Sequence, residues 1–406
     1  MKITNISALE ILDSRGNWTL ETSLTIDGSF YGTASVPSGA SVGSYEKRAA
    51  PARTAVAAIN GLLGPRLQKE DFDSQGSLDN LLIALDTTED RSCLGANTML
   101  SISLAFCKAA AVKSGLPLYK HINRSFGAGR NLVLPQPIFN IVNGGRHAKN
   151  DLDFQEFIII PRGKGSWHSS LEQAETIFQT MGSLLENNGF TTELGDEGGY
   201  APHSISYEGV LNFITKACTQ SGYNPGKNVF LGLDIAASTL ALGDLYFLER
   251  TGVKYNSTEL LNLFKDLLIR YPIIYLEDPF GQDNFTDFRL LKSGLFGRVE
   301  IVGDDLVTTN TKRLQQAIDE KAISAVIVKP NQIGTLTETF NLVELAKKNS
   351  ISVITSHRSG ETDDSFIADL AVGIGSDYIK AGAPARGERV AKYNRILEIE
   401  QELNLK

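Results

Sequence analysis

The chain has 406 residues, 42% of them hydrophobic and 21% charged, with a formal net charge of −8. That length allows two or three domains with a core large enough to need no disulfide or structural metal. The acidic balance excludes a nucleic-acid footprint, the scattered Cys93, Cys107 and Cys218 exclude a disulfide framework or CxxC zinc site, and no apolar run approaches membrane-spanning length.

The N-terminal MKITNISALEILDSRGN lacks the apolar stretch of a signal peptide, so the expected compartment is the cytoplasm. Residues 18–36 alternate and contain the turn pair Asp27-Gly28, a hairpin signal. Residues 96–113 have helical periodicity and end in Lys113, with Gly115 and Pro117 following as stop signals. All three cysteines fall in apolar stretches that read as helix, so each is expected in the core. Strands followed by helices without alternation predict a small α+β domain over residues 1–124. The Gly-rich, unpatterned segment 125–131 marks the break.

From residue 132 to 406 the pattern changes to short apolar runs, each ending in an ionisable residue and followed by a helical segment. The ends are Asp234, Glu277, Asp304, Lys329, His357 and Lys380, at successive steps of 43, 27, 25, 28 and 23 residues. An eight-unit β/α barrel implies roughly 30 residues per unit. The long first step leaves room for a hairpin-like insertion around Asp244–Glu249. Ionisable residues at strand C-termini lie at the face where barrel enzymes build their sites. One or two would be ordinary strand-end polarity; six in succession point to a site.

Three carboxylates on one rim, Asp234, Glu277 and Asp304, repel one another and raise their own pKa values. A hard divalent cation relieves this, and sparse all-oxygen ligation favours magnesium, with room for water and substrate oxygens. The plainer reading is a solvated acidic rim. Lys329 or Lys380, if desolvated or beside other cations, can lose a proton near neutrality and act as a base. Each could equally be a surface or phosphate-binding cation, and spacing alone does not tell the two lysines apart. Glu197, in LGDEGGYAP, reads alone as part of a turn; beside a lysine base it becomes a candidate acid for a departing hydroxyl. Arg358 and Ser359 offer a charged fork and a hydroxyl suited to phosphate. His147 follows a Gly-rich turn, and Gln155–Glu156 close an apparently extended run, DLDFQE.

These residues lie in motifs that together resemble enolase. They are DSRGN (13–17), PSGAS (37–41), NGGRHA (143–148), QEF (155–157), GDEGGYAP (195–202), LEDP (276–279), GDDL (303–306), NQIG (331–334), SHRSGET (356–362) and RVAKYN (389–394). The resemblance covers nearly the whole chain. It implies a small α+β domain capping a β/α barrel whose first units are irregular, and a homodimer or higher homo-oligomer. The implied reaction is reversible dehydration of 2-phosphoglycerate, a small phosphorylated hydroxyacid, to phosphoenolpyruvate with two Mg2+ per site. Asp234, Glu277 and Asp304 would hold the first ion and Ser41 the second. Lys329 would be the base and Glu197 the acid, with Glu156 supporting it. His147 and Gln155 would lie near substrate, Arg358 and Ser359 at the phosphate, His357 in the catalytic set and Lys380 on the carboxylate side. A lysine base with magnesium is the established arrangement of this superfamily.

The chain also departs from the family. After PSGASVGSYE it runs KRAAPARTAVAAING, a shorter lid segment than usual. Val42 stands where threonine is usual, Gly387 where serine is common, and the chain stops at Lys406, early by family habit. Pro330 removes a backbone donor beside the expected base. Three functions are consistent with this pattern. One is a working phosphopyruvate hydratase with an altered lid. Another is a dehydratase of a related phospho- or phosphono-hydroxyacid. The third is a non-catalytic binding protein on the same fold. The complete charged set argues against the last.

Overall fold

In the computed structural model, which describes residues 1–39, 43–127, 129, 131–162, 165–295 and 297–403, the N-terminal alternation builds an antiparallel sheet. Strands β1 (Ile3–Leu12), β2 (Trp18–Ile26) and β3 (Phe30–Ser35) pair in that order. Asp27 and Gly28 take φ values of +50° and +76°, the left-handed backbone of a tight hairpin. On β2, Leu20, Thr22, Leu24 and Ile26 are buried beneath the helix Ala96–Ser114, which contacts β2 and β3. Gly32 lies so close to this helix that a Cβ would fall 2.1 Å from the Ala105 carbonyl oxygen, and glycine alone permits that approach. The helix stops at Gly115, whose φ of +65° forms a left-handed cap.

Cys107 and Cys218 are buried, as expected, but Cys93 is exposed. The helix begins only at Ala96, so Cys93 sits in the turn before it and not in the core. Another helix, Leu118–Phe126, runs into the expected break.

Eight of the described strands close into a barrel in the order β10-β11-β12-β13-β14-β4-β5-β6. They are β4 (Gln136–Asn143), β5 (Glu156–Pro161), β6 (Val229–Asp234), β10 (Ile273–Glu277), β11 (Glu300–Gly303), β12 (Ala325–Val328), β13 (Ser352–Ser356) and β14 (Tyr378–Lys380). Only β5 runs antiparallel to its neighbours, which is the irregular start that the resemblance implies. The 43-residue step holds a three-stranded meander, β7 (Ala241–Leu242), β8 (Leu245–Leu248) and β9 (Val253–Tyr255).

The barrel strands are apolar on both faces because helices cover the outside and side chains fill the inside. Ile138, Ile158, Ile160, Val302, Ile327 and Ile354 form the interior layer. Burying each such side chain stabilises the fold by roughly 1.5–3 kcal/mol. Among the described residues no single helix is long and apolar enough to cross a membrane.

Candidate active site

The strands deliver the expected residues to one rim. Asp234, Glu277 and Lys380 end β6, β10 and β14, while Asp304, Lys329 and His357 stand one residue beyond β11, β12 and β13. Gln155 and Glu156 reach the same rim from the start of a strand, because β5 runs the other way. Glu156 pairs with Asp234, which pairs in turn with Glu277. The DLDFQE run is therefore extended only at its last residue, where β5 begins.

Backbone devices fix this rim. Asp278 has a φ of +41°, and its carboxylate accepts from the amides of Asp304 at 3.1 Å and Asp305 at 2.6 Å. It thereby clips the end of β10 to the end of β11. Ala236, Thr308 and Thr309 also take positive φ, and such strain persists where surrounding structure enforces it. The Ala236 amide donates to Asp234 Oδ1 at 3.0 Å. Pro330 opens a 3-10 turn, a position where a missing N–H costs nothing. The Lys329 amide donates to Thr309 Oγ1 at 3.0 Å.

Two ammonium groups sit among the carboxylates. Lys380 Nζ lies 2.8 Å from Glu277 Oε2, 3.1 Å from Glu156 Oε1 and 3.2 Å from Asp234 Oδ2. Lys329 Nζ pairs with Asp304 Oδ2. Among the described residues, the ligand atoms that gather within 4.8 Å belong to His147–Glu156–Glu197 and to Asp278–Asp304–Asp305. Asp234 and Glu277 belong to neither group; they meet through Lys380. Glu277 Oε1 is buried with no hydrogen-bond partner among the described residues. A buried all-oxygen set with one orphaned carboxylate oxygen fits a hard divalent cation. Ser41 lies outside the described residues.

Burial, with Asp234 beside it, pushes the Glu277 carboxyl up to about 8. Burial also disfavours charge on Lys380, but Glu156, Glu277 and Asp234 outweigh it and hold the amine well above its ordinary range. Lys329 departs from the expectation of a lysine primed to lose its proton. Burial pulls its pKa down, yet Asp304 prevails and raises it.

On the other side of this network, His147 Nδ1 lies 3.2 Å from Glu197 Oε1 and 3.7 Å from Glu156 Oε1. Asn140 Nδ2 donates to Glu197 Oε2 at 2.9 Å. Arg389 Nη1 lies 2.7 Å from His357 Nδ1; guanidinium only donates, so His357 accepts there and carries its proton on Nε2, 3.5 Å from Glu197 Oε1. Burial holds His357 well below its ordinary pKa, hence neutral.

Arg358 is gripped by Glu46, Nη1 to Oε2 at 3.0 Å and Nη2 to Oε1 at 3.2 Å, and reaches Asn331 Oδ1 at 3.1 Å. Arg389 Nη2 donates to the Ser359 carbonyl at 2.6 Å, and Lys392 pairs with Glu361 at 2.9 Å, so two fully buried cations hold the loop that carries Arg358 and Ser359. The residues leading into the shortened lid segment are fastened too. Tyr45 donates to Asp283 at 2.8 Å under the Arg313 guanidinium, and Gln282 donates to Ser44 at 2.9 Å. One cavity is lined by His147, Gln155, Glu156, Glu197, Asp234, Asp304, Lys329, His357, Arg358, Ser359 and Lys380, leaving Glu277 behind Lys380. Glu46, Asn140 and Arg389 escaped the sequence reading. An asparagine inside the apolar run PIFNIV, and an arginine opening the RVAKYN motif, were the signals available.

Two family models match the chain: "Enolase, N-terminal domain" over residues 3–122 and "Enolase, C-terminal TIM barrel domain" over residues 131–406. A relative named Enolase from Ehrlichia ruminantium (strain Welgevonden) is 42% identical over 415 residues, spanning 100% of this chain and 97% of its own. Another named Enolase, from Natranaerobius thermophilus, is 42% identical over 411 residues, spanning 99% and 95%. Matched in both halves by these models and along nearly all its length by these relatives, the chain belongs to the enolase family.

Proposed function

We propose that the chain catalyses the reversible dehydration of 2-phosphoglycerate to phosphoenolpyruvate, with Mg2+ as its divalent cation and two ions per site. The observation that carries this reading is one cavity shared by Lys329, the Glu156–Glu197 pair, Arg358, Asp234 and Asp304. Asp234, Glu277 and Asp304 would hold the first ion and Ser41 the second. A bound divalent cation supplies Lewis-acid stabilisation of the negative charge that builds on the substrate carboxylate.

As the neutral amine, parted from Asp304, Lys329 takes the proton from the α-carbon, and the ammonium so formed returns it in the reverse direction. The Glu156–Glu197 pair supplies the proton that leaves with the hydroxyl. His147 bridges the pair, and His357 points its Nε2–H toward Glu197. Arg358 and Ser359 receive the phosphate, while Gln155 and Lys380 face the substrate carboxylate.

Purified protein incubated with 2-phosphoglycerate and Mg2+ should generate phosphoenolpyruvate absorbance that a chelator abolishes. Absence of turnover would refute the reading. A second reading, dehydration of a related phospho- or phosphono-hydroxyacid, draws on the short link from the fastened Tyr45 to the helix at Ala52. It predicts a higher kcat/KM for such an acid than for 2-phosphoglycerate.

A homodimer is the proposed assembly, supported by Leu9, Leu12 and Trp18, all exposed on the small sheet; light scattering measures it. The unpaired state of the three cysteines supports a cytoplasmic protein.

A further inference from the structure

Beneath the rim, one polar side chain of the barrel interior has no place in the chemistry above. Tyr275 stands two residues before Glu277 on β10, so the two side chains project from the same face of the strand. Tyr275 is 1% exposed and belongs to the interior layer with Ile138, Ile327 and Ile354. Gly232 on β6 makes room for it: a Cβ there would fall 3.0 Å from Tyr275 Cβ. The tyrosine hydroxyl donates to Glu277 Oε2, which also accepts from Lys380 Nζ at 2.8 Å. Both donors thus converge on one carboxylate oxygen, and Oε1 is left without a partner among the described residues.

A buried phenol needs some acceptor, and that need alone would make Tyr275 a packing residue. The convergence of two donors on a single oxygen does more, because it fixes the rotation of the carboxylate and reserves the other oxygen. Groups that hold a ligand from behind in this way tune metal affinity strongly. We propose that Tyr275 is a positioning residue for the divalent cation, acting through Glu277 Oε2 to keep Oε1 available as the ligand atom. The proposal rests on the reading of Glu277 as a metal ligand.

The test compares wild type, Tyr275→Phe and Glu277→Gln, each stripped with chelator and titrated with Mn2+ alone while free Mn2+ is counted by electron paramagnetic resonance. Tyr275→Phe should bind Mn2+ about 10–100-fold more weakly than wild type, with an unchanged Tm in chelator. Equal affinity overturns the proposal, as does a fall in Tm without a fall in affinity. If Glu277→Gln binds Mn2+ as tightly as wild type, the ligand reading itself fails and the proposal falls with it. Should Tyr275→Phe not fold, 3-fluorotyrosine placed at position 275 serves instead. Its fluorine resonance should move during a Mg2+ titration, and a stationary resonance overturns the proposal.

Discussion

Glu156 and Glu197 bring carboxyl oxygens within 4.8 Å of each other, and their surroundings drive their protonation in opposite directions. Burial, then the charge of Glu197, lifts Glu156 well above the ordinary carboxyl range. Burial would lift Glu197 too, but His147, His357 and Arg389 prevail and hold it well below that range. Two coupled carboxyls of this kind hold one proton between them, resting on Glu156. The deliverable proton therefore belongs to the pair, and Glu197 is the end of it that the histidines keep ionised.

Replacing Glu197 by Gln breaks that pair without touching Lys329. Dehydration of 2-phosphoglycerate should slow by about 10²–10⁴-fold, the usual worth of a positioned acid. Exchange of the α-proton with deuterium, followed by NMR, should persist. If exchange collapses together with turnover, the division of labour between the two ends of the cavity is wrong.

Lys329→Ala should give the reverse phenotype, with α-proton exchange lost outright. In wild type the ion pair with Asp304 raises the Lys329 pKa, so the dehydration direction needs the less populated, neutral amine. Its rate should climb with pH, while hydration of phosphoenolpyruvate, which uses the ammonium, should decline. A pH–rate profile taken in both directions checks this; parallel slopes would count against Lys329 as the base.

Arg358 owes its orientation to the two-point grip of Glu46. Arg358→Lys keeps the charge and loses the planar fork. KM for the phosphorylated substrate should rise roughly 10–100-fold, the equivalent of one charge-assisted hydrogen bond, with kcat less affected. Steady-state kinetics that show kcat falling while KM holds would place Arg358 in the chemical step.

The strand tips were legible because parallel strands buried on both faces read as apolar runs that break where the chain emerges. Asp234, Glu277 and Lys380 end such runs, and Asp304, Lys329 and His357 lie one residue beyond. Glu156 and Gln155 fell outside that logic, since antiparallel β5 enters the rim at its beginning. Glu46 and Arg389 act on Arg358 and His357 across 312 and 32 residues of chain, a distance that no local pattern encodes. The protonation of Lys329 was not legible either, because burial and neighbouring cations lower its pKa while Asp304 raises it, and only the structure pairs the Lys329 ammonium with Asp304.

Without metal, the crowded carboxyls make stability depend on pH. Burial and Asp234 push Glu277 up to about 8, and burial with Asp304 pushes Asp305 up to about 7. Between the unfolded value and the raised one, the folded chain binds more protons than the unfolded chain, so stability is lost as pH rises. His357 acts in the opposite sense. Held neutral by burial, it costs stability only as pH falls below its unfolded value, where the unfolded chain charges. Lys329 and Lys380, both raised, contribute until pH exceeds the ordinary lysine range. Above about pH 7 neither His357 nor these two lysines opposes the carboxyl trend, and in chelator Tm should fall between about pH 7 and about pH 8.5. Glu277→Gln should flatten that fall, since it removes a carboxyl that titrates within this range. Added Mg2+ should raise Tm most at the alkaline end, because the cation binds the ionised carboxylates and stabilises by mass action. Thermal melts across this range, with and without chelator, decide the matter. A Tm in chelator that stays level, or a slope unchanged in Glu277→Gln, would mean that Glu277 is already ionised without a cation.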